Sequence, residues 1–166
     1  ASACCVAFSL LGCGDSDDIE SGPEILPSVS PIQLGDLWPQ GNEEANLGSN
    51  ERTPFEYVLL LQSTGDERLE IQDVCLIGNA DNFIIEGPEP ASVVPGDEAG
   101  VRLTYSRQNP GSDNVLIGVK SNADNFPGLT IPLCARVVSD DTEKNTNVQP
   151  CEFPEDQVPS LSELCN

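Results

Sequence analysis

Short alternating runs of apolar and polar residues follow one another along the middle of the chain. In FEYVLLLQS, the apolar residues Phe55, Tyr57, Leu59 and Leu61 share one face at a period of two, which is typical of a half-buried β-strand. No stretch keeps a helical spacing of apolar residues over three turns. Strands at intervals of roughly 8–15 residues, separated by turn-forming clusters, predict an antiparallel β-sandwich. The inward positions of the later strands are Val101, Leu103 and Tyr105, then Val115, Ile117 and Val119, then Ile131 and Leu133.

One of these strands carries an irregularity. Leu69 and Ile71 share a face, whereas Val74 and Leu76 resume the alternation one residue out of phase. An extra residue in one strand of a pair, called a β-bulge, produces such a shift. The sequence therefore predicts a bulge near Gln72–Asp73.

The N-terminal segment has a different character. ASACCVAFSLLGC is a run of apolar and small residues, and the acidic stretch GDSDDIESG follows it abruptly. An apolar run of about 7–15 residues before a processing site is typical of a secretion signal and is too short to span a bilayer. We expect residues 1–12 to be the remnant of a signal and residues 13–23 to be an unstructured acidic tether.

The signal ends in Leu10, one further residue, Gly12 and Cys13. This ending resembles the lipobox of bacterial lipoproteins, in which the cysteine thiol receives a diacylglycerol group and the leader is cut before that cysteine. The resemblance implies a mature protein that begins at an acylated Cys13 and is held by its acyl chains in the bacterial cell envelope, on the periplasmic or cell-surface side. The alternative is a buried N-terminal strand.

The middle of the chain also carries a series of turn and strand motifs. In this order, the motifs resemble those of ASH/Hydin-type immunoglobulin-like domains, which are known in bacterial surface proteins as choice-of-anchor D repeats. The resemblance implies an all-β, immunoglobulin-like antiparallel sandwich of about seven strands over residues 24–138. An acidic, proline-containing tail, residues 139–166, then follows. The motifs are Thr64-Gly65, the strand from Leu69 to Gly78, Pro95-Gly96-Asp97, and Ser121-Asn122 before Ile131-Pro132-Leu133.

The pentapeptide NADNF occurs twice, at residues 79–83 and 122–126. Each copy follows a predicted strand, the third and the sixth in order, and these strands are antiparallel neighbours in an immunoglobulin-like sandwich. Their turns then lie at opposite ends of the domain, so Asp81 and Asp124 are about 20 Å or more apart and cannot share an ion. We expect two similar turns, built because Asn and Asp cap local backbone, in which Phe83 and Phe126 return to the core.

Charge and composition exclude several classes of function. Twenty-eight acidic residues face seven basic ones, and the formal charge is −21. Such a chain is repelled by nucleic-acid phosphates, so we expect no nucleic-acid partner. The chain contains no His, which removes imidazole chemistry and His-ligated metals. Its acidic stretches lack the EF-hand spacing, and it carries no hydrolase or nucleotide-binding motif. We therefore expect no enzyme, no catalytic residue, no cofactor and no resident metal.

An even set of cysteines lies within and after the predicted sandwich. In an exported protein such a set indicates disulfides, and its spacing lacks the CxxC pairs of a zinc site. Cys75 and Cys134 should both point outward from one sheet, but an intervening strand separates them by about 9.6 Å, beyond disulfide reach. Cys75–Cys134 with Cys151–Cys165 is the pairing we favour, because two cysteines placed in strands of one sheet indicate a bridge. A tail that folds back onto the strand cysteines is the alternative. The four candidates are Cys75, Cys134, Cys151 and Cys165.

The expected function is recognition without catalysis. We interpret the chain as a lipid-anchored protein whose immunoglobulin-like domain takes part in protein–protein recognition, adhesion or envelope assembly with an unknown protein partner. An edge strand of such a domain can accept a partner strand. The long connection between Pro39 and Thr53 is the candidate contact surface, with Trp38, Glu43 and Glu44. Two alternatives remain: a passive spacer module of a longer cell-surface protein, or a calcium- or carbohydrate-binding module.

Overall fold

Two β-sheets packed against each other make up the domain. The computed structural model describes residues 21–39, 52–88, 90–139 and 150–166. The predicted immunoglobulin-like, all-β sandwich is confirmed by this arrangement. One sheet has four strands, in the order β1-β3-β7-β5, and the other has five, in the order β2-β9-β8-β4-β6. The strands are β1 (Ile25–Pro27), β2 (Ile32–Leu37), β3 (Phe55–Ser63), β4 (Leu69–Ile77), β5 (Phe83–Glu86), β6 (Ala91–Val93), β7 (Glu98–Tyr105), β8 (Gly111–Ser121) and β9 (Gly128–Val137).

The core lies between the two sheets and is built from alternate residues of each strand. In a β-strand, successive side chains point to opposite faces, so a period of two in apolar residues gives one buried face. The eight inward positions predicted for the later strands, from Val101 to Leu133, are at most 1% exposed. In β3, Leu59 and Leu61 are fully buried, whereas Phe55 and Tyr57 are only partly buried near one end of the sandwich. The alternation in the sequence therefore identifies the core face correctly.

The described residues form nine strands, whereas the sequence predicts about seven. The N-terminal part of the sandwich is divided between the sheets: β1 pairs with β3, and β2 pairs in parallel with β9. The segment between β4 and β7 likewise supplies one short strand to each sheet, β5 and β6. A strand of three or four residues has at most two inward positions, too few to produce a visible period of two.

The pairing of β4 with β8 agrees with the expectations from sequence. The two strands are antiparallel neighbours, and Cys75 lies opposite Gly118. Their register shifts between Ile71 and Asp73, which places the irregularity where the sequence predicts a bulge. Val74 and Leu76 therefore face the core, and Cys75 lies on the outer face of the sheet.

The two NADNF turns lie at opposite ends of the sandwich, because they follow antiparallel neighbours. In the second turn, the amide of Asn125 accepts a hydrogen bond from Ile25 N at 3.0 Å and donates one to Ile25 O at 2.9 Å. The side-chain amide of Asn122 binds the start of β4 in the same way. It accepts a hydrogen bond from Glu70 N and donates one to the carbonyl of Arg68, the residue before the strand. This turn thus holds the first residues of two other strands.

The first turn is built differently. Asn79 accepts a local hydrogen bond from Asp81 N, and Asn82 donates from Nδ2 to Asp113 Oδ2 at 3.1 Å. Phe83 is buried, as expected, but the expectation that Phe126 returns to the core is wrong, since its side chain is 50% exposed. Phe83 begins strand β5, whereas Phe126 precedes Pro127 in the connection to β9. The same pentapeptide therefore forms two connections of different structure.

The C-terminal tail covers the centre of the outer face of the five-stranded sheet. Leu164 is 1% exposed, and its side chain lies over Gly118 of β8. Leu116, on the outer face of β8, is 2% exposed, although an outward position of a two-layer sandwich would meet solvent. Phe153 lies against Gly78, at the end of β4. The tail is thus a third layer over the centre of this sheet, which agrees with the alternative in which it folds back onto the strands.

Glycine makes this third layer possible. A Cβ atom placed on Gly118 would lie 2.8 Å from Leu164 Cδ1, 2.9 Å from Ile77 Cδ1 and 3.0 Å from Cys75 Sγ. A Cβ on Gly128 would lie 2.7 Å from Leu161 Cδ1. All of these distances are shorter than ordinary carbon contacts. The two glycines therefore form a depression that fits the leucines of the tail.

We predict opposite effects for alanine at two outward glycines. Gly118→Ala forces the tail away from the sheet and should lower the free energy of unfolding by about 1–3 kcal/mol. Gly100, on the outer face of the other sheet, is the matched control, because a Cβ there would lie 3.5 Å from Val58 and 3.9 Å from Leu60, in ordinary contact. Gly100→Ala should raise stability by about 0.5–1 kcal/mol. Chemical denaturation with the disulfides intact measures the free energy of unfolding of both variants. Equal effects of the two substitutions would contradict the close fit of the tail at Gly118.

Candidate functional site

The four cysteines form two disulfides, and the pairing that the sequence favoured is wrong. Cys75 of β4 is bonded to Cys165, and Cys134 of β9 is bonded to Cys151, with Cα–Cα distances of 5.4 and 5.6 Å. The reason is the sheet order: β8 lies between β4 and β9, so the two strand cysteines are separated by about two strand spacings. The tail crosses β8, and each of its two cysteines reaches a different strand.

Of the predicted contact surface, only Trp38 and the two ends of the connection lie among the described residues. The indole of Trp38 is 3% exposed, so it contributes to packing and not to an exposed surface. Its Nε1 has no hydrogen-bond partner in the described structure. The backbone beside it pairs with the returning chain, since Thr53 N donates to Trp38 O at 2.9 Å. Glu43, Glu44 and the lipidation candidate Cys13 lie outside the described residues.

The outer face of the four-stranded sheet has no covering layer among the described residues, in contrast to the five-stranded sheet. We call this surface the open face. Register places its side chains in cross-strand rows: Val58 lies opposite Arg102, and Leu60 lies opposite Gly100. The open face consists of Leu26, Glu56, Val58, Leu60, Gln62, Ile84, Glu86, Glu98, Gly100, Arg102 and Thr104.

Large apolar side chains of the open face meet solvent. Leu26 is 50% exposed, Val58 is 51% exposed and Ile84 is 54% exposed. Single exposed apolar residues are common, but several on one face of one sheet are typical of an interaction surface. The sequence contained a signal of this face, because Val58 and Leu60 are apolar residues in the polar phase of β3. Leu26 and Ile84 belong to short strands that the alternation does not reveal.

The four sheet edges are poorly suited to receive a further strand. Long, flat edges with unpaired backbone groups invite strand addition, whereas short, bulged or proline-flanked edges resist it. Strands β1 and β5 have three and four residues, and β1 ends in Pro27. β6 has three residues and lies between Pro90 and Pro95. β2 is longer, but its register with β9 shifts at Gly35, where φ is +79°. The described edges therefore favour recognition by a face over strand addition.

A buried polar cluster closes the end of the sandwich near the first NADNF turn. The carboxylate of Asp113 accepts hydrogen bonds from Tyr105 Oη at 2.7 Å and from Arg107 Nη1 at 2.9 and 3.0 Å, besides the one from Asn82. Asp113 is only 10% exposed, so these partners compensate for the removal of its charge from water. A shallow cavity of about 360 Å³ lies beside the cluster. Its lining consists of Asn82 and residues 106–109.

Burial raises the pKa of Tyr105 above its ordinary value near 10, and the hydrogen bond that its hydroxyl donates to Asp113 raises the pKa further. The ring also packs on Phe83, with ring centroids 4.7 Å apart. The phenol therefore acts as a permanent hydrogen-bond donor that holds Asp113 in place. This role is structural, since the hydroxyl is committed to the carboxylate.

Two further surveys concern the residues that the structure describes. They contain no group of three or more Asp, Glu or Cys side chains arranged to hold a metal ion. No helix among them is both long enough and apolar enough to cross a bilayer.

Comparisons with known proteins concern the fold of the chain and give no activity for it. No family model matches the chain, and no curated protein matches it by sequence. Among solved structures, a protein of unknown function from Porphyromonas gingivalis W83 is similar, with a TM-score of 0.53, 14% identity, 70% of this chain covered and 48% of the other. The chain thus spans about half the length of that protein.

Two other solved structures are similar at a lower level. The ASH/PapD-like domain 7 of human CEP192 has a TM-score of 0.49 and 12% identity, covering 82% of this chain and 99% of that domain. The CupB2 chaperone of Pseudomonas aeruginosa has a TM-score of 0.45 and 14% identity, covering 68% and 55%. Identities this low concern the fold alone. The immunoglobulin-like class follows from the strand order and pairing of this chain.

We predict that Tyr105 makes stability depend on alkaline pH. Because its folded pKa is raised, its contribution is complete below about pH 10 and is lost as the pH rises further, by up to about 1.4 kcal/mol per pH unit. Tyr105→Phe should cost about 1.5–3 kcal/mol at neutral pH, because the lost hydrogen bond has a charged carboxylate as its acceptor, and it should flatten the decline above pH 10. Urea denaturation between pH 8 and about 11 measures both effects. Parallel curves for Tyr105→Phe and wild type would contradict the role.

Proposed function

We propose that the protein is a non-catalytic recognition module, held outside the cytoplasm by lipid on Cys13, whose domain binds a protein partner in adhesion or envelope assembly. The observation that carries the recognition role is the open face. Its half-exposed apolar residues Leu26, Val58 and Ile84 lie on one sheet, whereas the other sheet is covered by the chain's own tail. Apolar groups on this face are exposed to water, and the free energy of the system falls when a partner covers them.

Two features support a location outside the cytoplasm. Both disulfides join cysteines distant in sequence, with separations of 90 and 17 residues, and such bonds persist mainly in oxidising compartments. The lipobox-like ending supplies the anchor through acyl chains on Cys13. Several such chains hold a protein stably on a membrane, because each buried methylene contributes about 0.8 kcal/mol to binding. The charge of −21 keeps the domain away from anionic headgroups, so the lipid and not the protein surface makes the membrane contact.

The recognition role predicts a saturable complex. The intact lipidated chain, used as bait in native membranes, should enrich a discrete protein that binds again when both components are pure. A chain that acts only as a spacer should enrich nothing above an unrelated lipoprotein bait. Binding to a glycan array, or a melting temperature that changes between millimolar calcium and chelator, would instead favour the carbohydrate- or calcium-binding alternative.

The anchor has its own prediction. Expressed from its full gene in a bacterium, the mature protein should begin at Cys13, carry the mass of the acyl groups and partition with membranes. Cys13→Ser should remain unacylated and leave the membrane fraction, because the nucleophilic thiol is absent. Intact-mass spectrometry decides the matter: retention of residues 1–12 without acyl mass would refute lipidation and leave the fold unaffected.

A further inference from the structure

We infer that the open face binds a basic protein surface, one in which an apolar strip is bordered by Lys and Arg side chains. This inference rests on the proposed recognition function and specifies its partner. Three properties of the open face carry it: the shape of its apolar strip, the sign of its border and the unsuitability of the adjoining sheet edges for strand addition.

The apolar strip consists of Val58, Leu60 and Leu26, and it has a dent beside Leu60. Leu60 of β3 lies opposite Gly100 of β7, and Val58 lies two residues before Leu60 in β3. A Cβ atom on Gly100 would make only ordinary contacts with Val58 and Leu60, at 3.5 and 3.9 Å. The missing side chain therefore leaves space between these two residues that a side chain of a partner can fill. Leu26 extends the strip to the edge of the sheet, where it lies opposite Gln62.

The border of the strip is acidic. Glu98 lies at one end, and Glu56 and Glu86 lie at the other. Arg102 is the single basic residue of the open face, and its guanidinium lies 3.8 Å from the carboxylate of Glu86. Three acids against one base leave the face with a net charge of −2. Neither Glu56 nor Glu98 has an ion pair among the described residues.

This charge distinguishes among possible occupants. A second copy would oppose one acidic border to another, on chains that each carry a charge of −21, and like charges across an interface are costly. Nucleic acid and anionic lipid are disfavoured for the same reason. A partner with Lys and Arg around an apolar centre matches both the strip and its border, and electrostatic attraction would also speed the encounter.

The size of the open face limits the area that a complex can bury. Three to four strands about 4.8 Å apart, over about eight residues of 3.3 Å, give an area of about 400–500 Å². A stable complex buries about 800 Å² on each partner. The open face alone therefore fits a reversible complex, in which charge contributes to specificity and to the rate of association.

Site-specific photo-cross-linking tests the inference on the full chain in its own envelope. A benzophenone amino acid replaces Gln62, which is exposed beside the strip. In a second chain it replaces Val158, which is 39% exposed on the tail. We expect position 62 to cross-link to a protein through a peptide that contains Lys or Arg. The yield should fall as sodium chloride rises from about 0.05 to about 0.5 M, because the border charges are screened.

Variants separate shape from charge. Gly100→Leu fills the dent and should reduce the cross-link on the order of tenfold, while denaturation shows an intact fold. Glu98→Lys should reduce it to a similar extent, and Glu98→Gln, which keeps the shape and removes the charge, should have an intermediate effect. Gly100→Ala, with its smaller side chain, should reduce the yield less than Gly100→Leu.

The outcomes distinguish this inference from the function on which it rests. A cross-link from position 62 to a second copy or to lipid, or one unaffected by Gly100→Leu and Glu98→Lys, overturns the inference. So does a cross-link from position 158 alone, which leaves the recognition function standing on another surface. No cross-link from position 62, together with no protein enriched in the capture experiment, removes both.

Discussion

Strand β8 buries both of its faces from Val115 to Val119, and this constraint determines which surfaces of the described protein remain available. Val115, Ile117 and Val119 fill the core, while Leu116 and Gly118 on the opposite side lie beneath the tail. A two-layer sandwich leaves the outer face of each sheet in water, so this third layer breaks the symmetry between the sheets. The centre of the five-stranded sheet is covered by the chain itself, and no described residue covers the outer face of the four-stranded sheet.

The disulfides follow from the same constraint. A single bridge between neighbouring strands would not hold a tail in place, whereas the two observed bonds fix its ends on β9 and β4, on either side of β8. Between these bonds, Leu161 and Leu164 need only fit the depression at Gly118 and Gly128. In the chain-entropy model, bonds of such different sequence separation also restrict the unfolded chain to different extents, about 3 kcal/mol for the shorter loop and between 4 and 5 kcal/mol for the longer. The tail is thus an integral part of the domain.

The limits of prediction from sequence have physical causes. The inward positions of β3, β7, β8 and β9 were predictable, because each of these strands is long enough for the period of two to repeat. The bulge in β4 was predictable for the same reason, since Val74 and Leu76 shift the phase. The pairing of Cys75 with Cys165 was not, because it depends on a tail whose path is fixed by tertiary contacts and not by its own pattern. Cys13, Glu43 and Glu44 stay predictions, since they lie outside the described residues.

The two outward glycines of the central strands show what the open face lacks. Gly118 lies at the centre of one sheet and is filled by Leu164 of the same chain; Gly100 lies opposite Leu60 in the other sheet and is filled by no described residue. The first case demonstrates, within this molecule, how an apolar side chain settles in a dent left by glycine between strand residues. At Gly100 a glycine again lies between apolar strand residues, but the surroundings differ. Acidic residues border it, and no disulfide-bonded tail lies over it. On the other sheet the disulfides keep the apolar residues of the tail in place. The partner we propose for the open face has no such bond, and opposite charge at Glu56 and Glu98 would take its place.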